Sequence, residues 1–398
     1  MSDIQRYDVI VVGGGPAGSS AALQAANGGA SVLMIEKEPQ IATTVRTSGV
    51  TWMDTVTEFE IPKRCYNPIK NYGFCSPNNS VILHDKTHRA VVLDVRSTYR
   101  WLATQAEKAG VTIQTGVAIK KATRNNDNTI TISGTDNTMA QGKIIVDASG
   151  FSSVVAQSLG ATQQWRRFGV GAEYEMHAED IDAETWWLMV GSMYSPAGYA
   201  WIFPVGGDLV RIGVGIAKPE SSVDPREVLD NILQKKIGPV ANLGHLKISE
   251  YHYGLIPNSG IDRKSVYDGM ILVGDSAGQS NPLVLEGIRF AIRFGRMAGD
   301  AAAAAIHDPN NTKPILSSYE TDWRRMAEAR IRSAYKVQNR WLALSDEGWD
   351  KELNIIKELS VDEFLDFVRA DFTMSKIIKM TVRHPRLAVR QLFKLVQH

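Results

Sequence analysis

Short runs of wholly apolar residues punctuate the first half of the chain, at 9–12, 32–35 and 144–146, one more returns at 270–273, and the mixed runs at 91–95 and 111–115 also read as strands. Unbroken apolar runs of this length predict strands buried on both faces, as in a parallel sheet. Helical patterns lie between them. One starts at about residue 17, and one runs through Trp101, Leu102, Ala106 and Ala109 until Gly110 ends it. Another runs from about 288 into the alanine run 301–305. Alternation of this kind predicts a Rossmann-like domain. Pro62, Pro68 and Pro77 break any helix between 60 and 92, where short strands and turns are expected. A polar stretch at 125–137 around Thr129 to Ser133 reads as a hairpin.

From about 151 to 265 alternating strands dominate, with one helix at about 225–236, and from about 315 the periodicity is helical and rich in charge. The expected fold is therefore mixed α/β (α+β). A discontinuous Rossmann-like domain takes 1–150 with 266–310, an antiparallel-sheet substrate domain takes 151–265, and a helical region takes 311–398. A chain of 398 residues is too long for one small core, which agrees with two or three lobes.

The first strand runs straight into Gly13, Gly15 and Gly18 in G-x-G-x-x-G spacing. Gly13 permits the tight turn, Gly15 lets a pyrophosphate approach the backbone, and Gly18 lets helix and strand pack closely. Pro16 and Ala17 open the helix whose N–H groups face the phosphate. The second strand ends in Glu36-Lys37, with the acid placed to hold an adenosine ribose. Alone, this unit serves NAD or FAD equally. The late strand at 270–273 ends in Gly274-Asp275, followed by Asn281-Pro282, Glu286-Gly287 and a helix from Ile288. An acid at a strand end suits ribose or ribityl hydroxyls, and a second helix start can stabilise charge on a flavin edge. Together the two segments point to FAD. A polar stretch containing Arg46-Thr47-Ser48-Gly49 lies just past Glu36, where it can fold over the cofactor.

In the alternating region, Tyr199-Ala-Trp-Ile-Phe-Pro puts Tyr199, Trp201 and Phe203 on one face and Ala200 and Ile202 on the other. The next strand carries Gly213 and Gly215 two apart, so one of its faces is bare. An aromatic row beside a bare strand lines a long apolar slot or makes ordinary sheet core; pattern alone favours neither.

Composition adds exclusions. With 44% hydrophobic and 22% charged residues and a formal charge of +1, the chain is an ordinary soluble one, and nothing argues for nucleic acid. The fingerprint begins at residue 8, which leaves no room for a signal peptide, and no apolar run is long enough to span a bilayer, so a cytoplasmic location is expected. Cys65 and Cys75 match neither a thioredoxin-like nor a zinc spacing. Two free thiols are expected, and no metal. After Asp371 there are no acids, whereas Lys376, Lys379, Arg383, Arg386, Arg390 and Lys394 are basic, and Leu387, Leu392, Phe393, Leu395 and Val396 are apolar. Such an end lies peripherally on the inner face of an anionic membrane or simply caps the fold.

The fingerprint with Glu36, Arg96 after a strand, and Gly274-Asp275 with Asn281-Pro282 and Glu286-Gly287 resemble the FAD-binding parts of p-hydroxybenzoate-hydroxylase-like flavoproteins. Within that group, Tyr199-Ala-Trp-Ile-Phe-Pro followed by Gly213 and Gly215 is similar to the Y-x-W-x-F-P…G-x-G signature of the geranylgeranyl reductases, and the resemblance covers nearly the whole chain. It implies that Gly13, Gly15 and Gly18, with Pro16 and Ala17, contact the pyrophosphate. Glu36 and Lys37 hold the adenosine end, Arg96 lies near the pyrophosphate or ribityl chain, and Asp275 binds FAD hydroxyls. Ser48, Gly49, Gly287 and Ile288 face the flavin. Tyr199, Trp201, Phe203, Gly213 and Gly215 line a slot for a prenylated lipid, with Arg46 as a phosphate headgroup contact. Many family members carry a cysteine in the loop after the ribose-binding acid. Ser48 stands here in its place without thiol chemistry.

The implied reaction is saturation of C=C bonds in geranylgeranyl chains, most directly those of archaeal-type ether phospholipids. Such an alkene is not polarised by a carbonyl, so the protein must hold it against the flavin and exclude water. No convincing general acid emerges from sequence; Tyr199 or an ordered water supplies the proton. The competing readings are a flavin monooxygenase or halogenase on the same fold, and a non-catalytic electron carrier. A halogenase is expected to carry a W-x-W-x-I-P element, where this chain has Tyr199 and Phe203. No second nucleotide fingerprint appears, so NAD(P)H, ferredoxin and another flavoprotein all stay open as electron donors.

Overall fold

The computed structural model describes residues 4–371 and 374–384. All six runs form strands, and five of them join one mainly parallel sheet. Its order is Val266–Tyr267, Met270–Leu272, Met139–Asp147, Gln5–Val12, Val32–Ile35, Thr112–Gln114. Val9 pairs with both Val32 and Ile144, and Val12 with both Ile35 and Asp147, so the carboxyl ends of the central strands finish side by side. That end of a parallel sheet is where ligands bind. Val9 and Val11 face helices Pro16–Asn27, Val95–Lys108 and Ile288–His307. Ile10 and Val12 face the other way, against an antiparallel meander formed by Ile119–Arg124, Ile130–Gly134 and the start of Met139–Asp147. The run at 91–95 behaves differently. Its strand is Ala90–Leu93 and belongs to a separate three-stranded sheet with Val50–Trp52 and Tyr66–Ile69. Asp94 ends it by capping the next helix, its carboxylate accepting from the Ser97 N–H at 3.0 Å.

The second large sheet has the order Leu246–Pro257, Phe168–Ala178, Leu209–Lys218, Gly198–Gly206, Thr185–Met189, Asn71–Cys75, Ser80–His84. Its last two strands come from inside the 1–150 stretch, so this sheet crosses the boundary expected at 150. Thr185–Met189 runs parallel to Asn71–Cys75, a long-range pairing that local pattern cannot announce. One face is closed by helix Pro225–Gln234, whose Leu229 and Ile232 pack on Ile202, Ile212 and Val214. The opposite face looks towards the nucleotide domain.

Helix Thr312–Leu342 ties the two sheets together. Its first half buries Leu316, Tyr319, Trp323, Ala327 and Ile331 against the first domain, and further on Ala334 and Trp341 join the aromatic core of the second. At 31 residues it spans about 46 Å. Helices Asp346–Ile356 and Val361–Val368 complete that core, the latter through a capping box between Ser360 and Glu363. Helix Met374–Arg383 follows. Arg386, Arg390, Lys394 and the apolar residues from Leu387 onward lie outside the described residues. Among the described residues no helix is long and apolar enough to cross a membrane.

Candidate active site

The glycines of the first turn divide by what surrounds them. Gly13 has φ +109°, and a Cβ there would overlap the Ala148 carbonyl; a Cβ on Gly18 would overlap the Gly13 carbonyl. These two are needed by the fold. A Cβ on Gly15 would meet nothing within 4 Å, so Gly15 faces open space. Helix Pro16–Asn27 starts there with no side-chain cap and no acid in its first turn, which leaves the Ala17 and Gly18 N–H groups free for an anion. The Glu36 carboxylate accepts from the Gly14 N–H at 2.7 Å and the Glu38 N–H at 3.0 Å, which fixes the turn and still leaves lone pairs for a ligand. Lys37 is exposed.

A second helix start converges on the first. Gly295 and Gly299 let helix Ile288–His307 touch the backbone of Pro16–Asn27: a Cβ on Gly295 would sit 2.5 Å from the Ala17 carbonyl oxygen, and one on Gly299 would overlap that of Ala21. Between the two starts lies Gly274, at φ +66° and with room only because its Cβ is absent 3.0 Å from that of Ala17. Buried Gln279 holds this turn, accepting from the Gly274 N–H at 2.8 Å and donating to the Tyr319 hydroxyl at 3.0 Å. Asp275 receives no side-chain hydrogen bond from the described residues, and burial pushes its carboxyl up to about 6. An unpartnered, desolvated carboxylate between two uncapped helix starts is costly unless a ligand supplies donors. These features suit FAD: Gly15 to Gly18 would take a pyrophosphate, Asp275 would take hydroxyls, and Gly287 and Ile288, which open the second helix without cap or acid, would meet an electron-rich ring edge.

Arg96 has protein partners. It pairs with Glu250 of the second sheet at 2.5 Å and donates to the Thr43 carbonyl at 3.3 Å. Gly49 (φ +85°) lies against the Leu93 carbonyl and Arg211, away from the cavity. Ser48 lines the cavity, and its carbonyl accepts from Arg211 at 3.0 Å. Arg46 stands half-exposed at the mouth, paired with Glu38 at 2.6 Å.

The second sheet supplies the cavity, and its register explains the layout. Three cross-strand rows share one face. The first is Phe203, Arg211, Glu175 and Glu250; the second is Trp201, Gly213, Glu173 and His252; the third is Tyr199, Gly215, Gly171 and Gly254. The third row carries three glycines and forms the floor of a cavity of about 950 Å³ including its open mouth. Trp186, Leu188, Tyr199, Trp201 and Phe203 wall it, and Val284, Leu285, Glu286, Gly287 and Ile288 close it on the cofactor side. A second apolar cavity of about 570 Å³ shares Leu188, Tyr199 and Val284 with the first and continues to Trp341 and Trp349.

Two expectations need correction here. Gly213 does not line the slot. The Trp201 indole lies over it, and a Cβ there would overlap the six-membered ring. The missing side chain lets the indole cross the strand and donate from Nε1 to Glu173 Oε2 at 2.7 Å. Tyr199 is a poor acid: its hydroxyl donates to the Val284 carbonyl at 2.5 Å, and burial raises its pKa further. Glu173, His252, Gly171 and Gly254 escaped the sequence reading. The signal was present in Gly169-Val-Gly-Ala-Glu-Tyr-Glu, where glycines and acids alternate on one face of a strand. Cys65 and Cys75 are free and buried, outside the cavity lining, and burial pushes the Cys75 thiol up to about 12. No group of metal-ligating side chains occurs among the described residues.

A profile for FAD dependent oxidoreductases matches residues 8–174, and one for the geranylgeranyl reductase catalytic domain matches 168–250. A digeranylgeranylglycerophospholipid reductase 1 of Methanococcoides burtonii is 30% identical over 394 residues, covering 95% of either chain. The chain belongs to the geranylgeranyl reductase family. The corresponding reductase of Methanosarcina acetivorans is 31% identical with 96% of either chain covered. A geranylgeranyl bacteriochlorophyll reductase-like protein of Thermoplasma acidophilum superposes with a TM-score of 0.85 at 25% identity, over 99% of this chain and 100% of that one. A flavin-dependent brominase superposes less closely, with a TM-score of 0.67 at 17% identity over 98% and 100%, and shares the fold. As a member of this family the chain is an FAD-dependent oxidoreductase of mixed α/β fold.

Proposed function

We propose that this chain saturates C=C bonds of the geranylgeranyl chains of digeranylgeranylglycerophospholipids. The observation that carries the reading is the continuity of an aromatic, glycine-floored cavity with the helix start at Gly287 and Ile288, where the FAD ring edge would lie. Reduced FAD supplies the hydride. The chain's own residues do the rest. The glycine row lets a flat isoprene unit lie against the backbone of the sheet. Trp201 stacks on Phe203 (ring centroids 6.0 Å apart, 15° between planes) and makes one wall rigid. An isolated alkene offers no polar handle, so orientation must come from such walls and from exclusion of water. The further cavity towards Trp341 and Trp349 gives the rest of a twenty-carbon chain somewhere to lie. Arg46 at the mouth suits a headgroup phosphate, in exchange for its exposed pair with Glu38.

The same reading calls for access to a bilayer. Ile378 and Val382, one turn apart on helix Met374–Arg383, are 56% and 76% exposed, with exposed Lys379 and Arg383 beside them. We infer that this face meets anionic lipid. Lys376 does not contribute to it, being held by Asp366 and Asp371 at 2.6 Å each.

The test is a single turnover. Purified protein carrying FAD is reduced anaerobically with dithionite and mixed with digeranylgeranylglyceryl phosphate. Mass gains in steps of two hydrogens are expected. Oxygen-dependent gain of one oxygen atom, or reversible flavin reduction with no change in any prenyl lipid, would overturn the proposal.

A further inference from the structure

We propose that the buried Glu173–His252 pair is the proton source for the reduction, recharged from solvent past Glu250 and Arg96. The inference rests on the reductase reading above. Saturating an alkene breaks one π bond and forms two C–H bonds. The hydride, with its two electrons, comes from the reduced flavin, which is oxidised. The other carbon needs a proton, and a mainly apolar cavity must hold that proton somewhere.

The polar row of the sheet holds it. His252 Nδ1 lies 2.9 Å from Glu173 Oε1, both side chains are at most 5% exposed, and both line the cavity beside the glycine row. The other Glu173 oxygen accepts from the Trp201 indole at 2.7 Å, so the carboxylate left after proton transfer keeps a donor. His252 Nε2 is buried and makes no hydrogen bond; it points to Glu250 Oε2 at 3.6 Å. Glu250 is about one-third exposed and pairs with Arg96 at 2.5 Å, so the row runs from the cavity to the surface.

A charge count says that the pair keeps its proton at rest. The charged groups packed around it are Glu175 and Arg211 on neighbouring positions of the sheet, Glu250 on the strand of His252, and Arg96 from helix Val95–Lys108. Arg211 is committed to Glu175 at 2.8 Å and Arg96 to Glu250. Glu173 shares Arg211, whose Nε stands 3.8 Å away, with Glu175, and has His252 at 2.9 Å as its nearest counter-charge. A buried carboxylate without a compensating proton or cation is strongly disfavoured. One mobile proton between Glu173 and His252 therefore makes the site neutral. Its loss to the alkene carbon leaves the pair one proton poorer, and a solvent proton entering by Glu250 restores it.

Two measurements test the assignment. In the first, the Trp201 indole ¹⁵N–H resonance is followed against pH in the oxidised protein, with Trp201→Phe identifying the signal by its loss. It should titrate with the pair in wild type and stay flat in Glu173→Gln. A pH-independent indole in wild type would overturn the proposal. In the second, single-turnover saturation is timed for Glu173→Gln and His252→Gln, with FAD content and dithionite reduction as controls. Each should be slowed at least 100-fold, as loss of a positioned acid implies, and a solvent deuterium isotope effect seen in wild type should follow the pair. Glu250→Gln should leave the first turnover alone and slow later ones. Wild-type saturation with both variants at full rate would overturn the proton assignment alone. Absence of saturation in wild type would overturn the reductase reading instead.

Discussion

Gly213→Ala tests how the sheet builds its wall. The new Cβ would overlap the six-membered ring of Trp201, which lies flat across the strand. The ring cannot slide away easily, because it stacks on Phe203 and its Nε1 is tethered to Glu173. Overpacking a tight core site costs about 1–3 kcal/mol. Displacing the indole also breaks a buried hydrogen bond to an ionisable group, worth about 1.5–3 kcal/mol. The expected loss is therefore about 2.5–6 kcal/mol, read by urea unfolding followed by far-UV circular dichroism. Bound FAD should be retained, since the cradle lies on the other sheet. A double-mutant cycle isolates the cause. In a Trp201→Phe background the alanine meets a shorter ring, so Gly213→Ala should cost about 1 kcal/mol or less, against the general expectation for a mild core change. Additive costs for the two substitutions would refute the argument that Gly213 exists to let the indole cross.

The other expectations concern the cofactor cradle and Tyr199. Gly15→Ala should cost about 1 kcal/mol or less in unfolding, as loss of a favourable N-cap does, yet lower flavin retention on a desalting column; Gly18→Ala should unfold the protein more easily because its Cβ overlaps the Gly13 carbonyl. Asp275 has its carboxyl raised to about 6 in the folded chain against about 3.9 unfolded, so the folded state binds that proton more tightly. Cofactor-free protein should therefore lose stability, by roughly 2–3 kcal/mol at most, as pH rises from about 4 through 6. Asp275→Asn should remove that slope in pH-dependent urea titrations while weakening FAD binding. Tyr199→Phe should slow single-turnover saturation less than five-fold, because its hydroxyl is spent on the Val284 carbonyl; a drop of 100-fold or more would restore Tyr199 as the acid.

Legibility in the sequence followed the range of the interactions. The nucleotide unit was readable because its parts are adjacent: strand, turn glycines, helix and Glu36 fall within thirty residues and each is dictated locally. The late return of Gly274-Asp275 was readable because its strand is a bare apolar run. The aromatic strand was readable as a face, but not as a wall. Which residue sits opposite Trp201 depends on a register that puts Gly213, Glu173 and His252 in one line, with the paired Glu173 and His252 79 residues apart in the chain, and no single strand states it. The same limit hid the origin of Asn71–Cys75 and Ser80–His84, which leave the first domain to extend the second sheet. Arg96 was placed correctly after a strand, but its partner Glu250 lies 154 residues away.

The glycine rows suggest why the acid sits on the sheet and not beside the cofactor. A surface that accepts a flat, apolar chain must be free of side chains, and a surface that supplies a proton must hold polar ones dry and paired. On a helix these demands collide, because neighbouring positions fan out around the axis. On a sheet face, successive rows stand side by side at fixed spacing. Tyr199, Gly215, Gly171 and Gly254 make the bare row, and Trp201, Gly213, Glu173 and His252 make the next. Gly213 joins them: by omitting one side chain it lets Trp201 belong to the apolar wall through its ring and to the polar row through its N–H. Substitutions in the bare row should therefore change which chains fit, whereas substitutions in the polar row should change how fast a fitted chain is saturated. Comparing Gly171→Ala with Glu173→Gln separates these effects. The first should raise the lipid concentration needed for half-maximal turnover with little change in the limiting rate, because a Cβ there meets only the Trp201 ring edge at 3.8 Å and a carbonyl at 4.0 Å. The second should do the reverse, and the opposite pairing would break the division of labour between the rows.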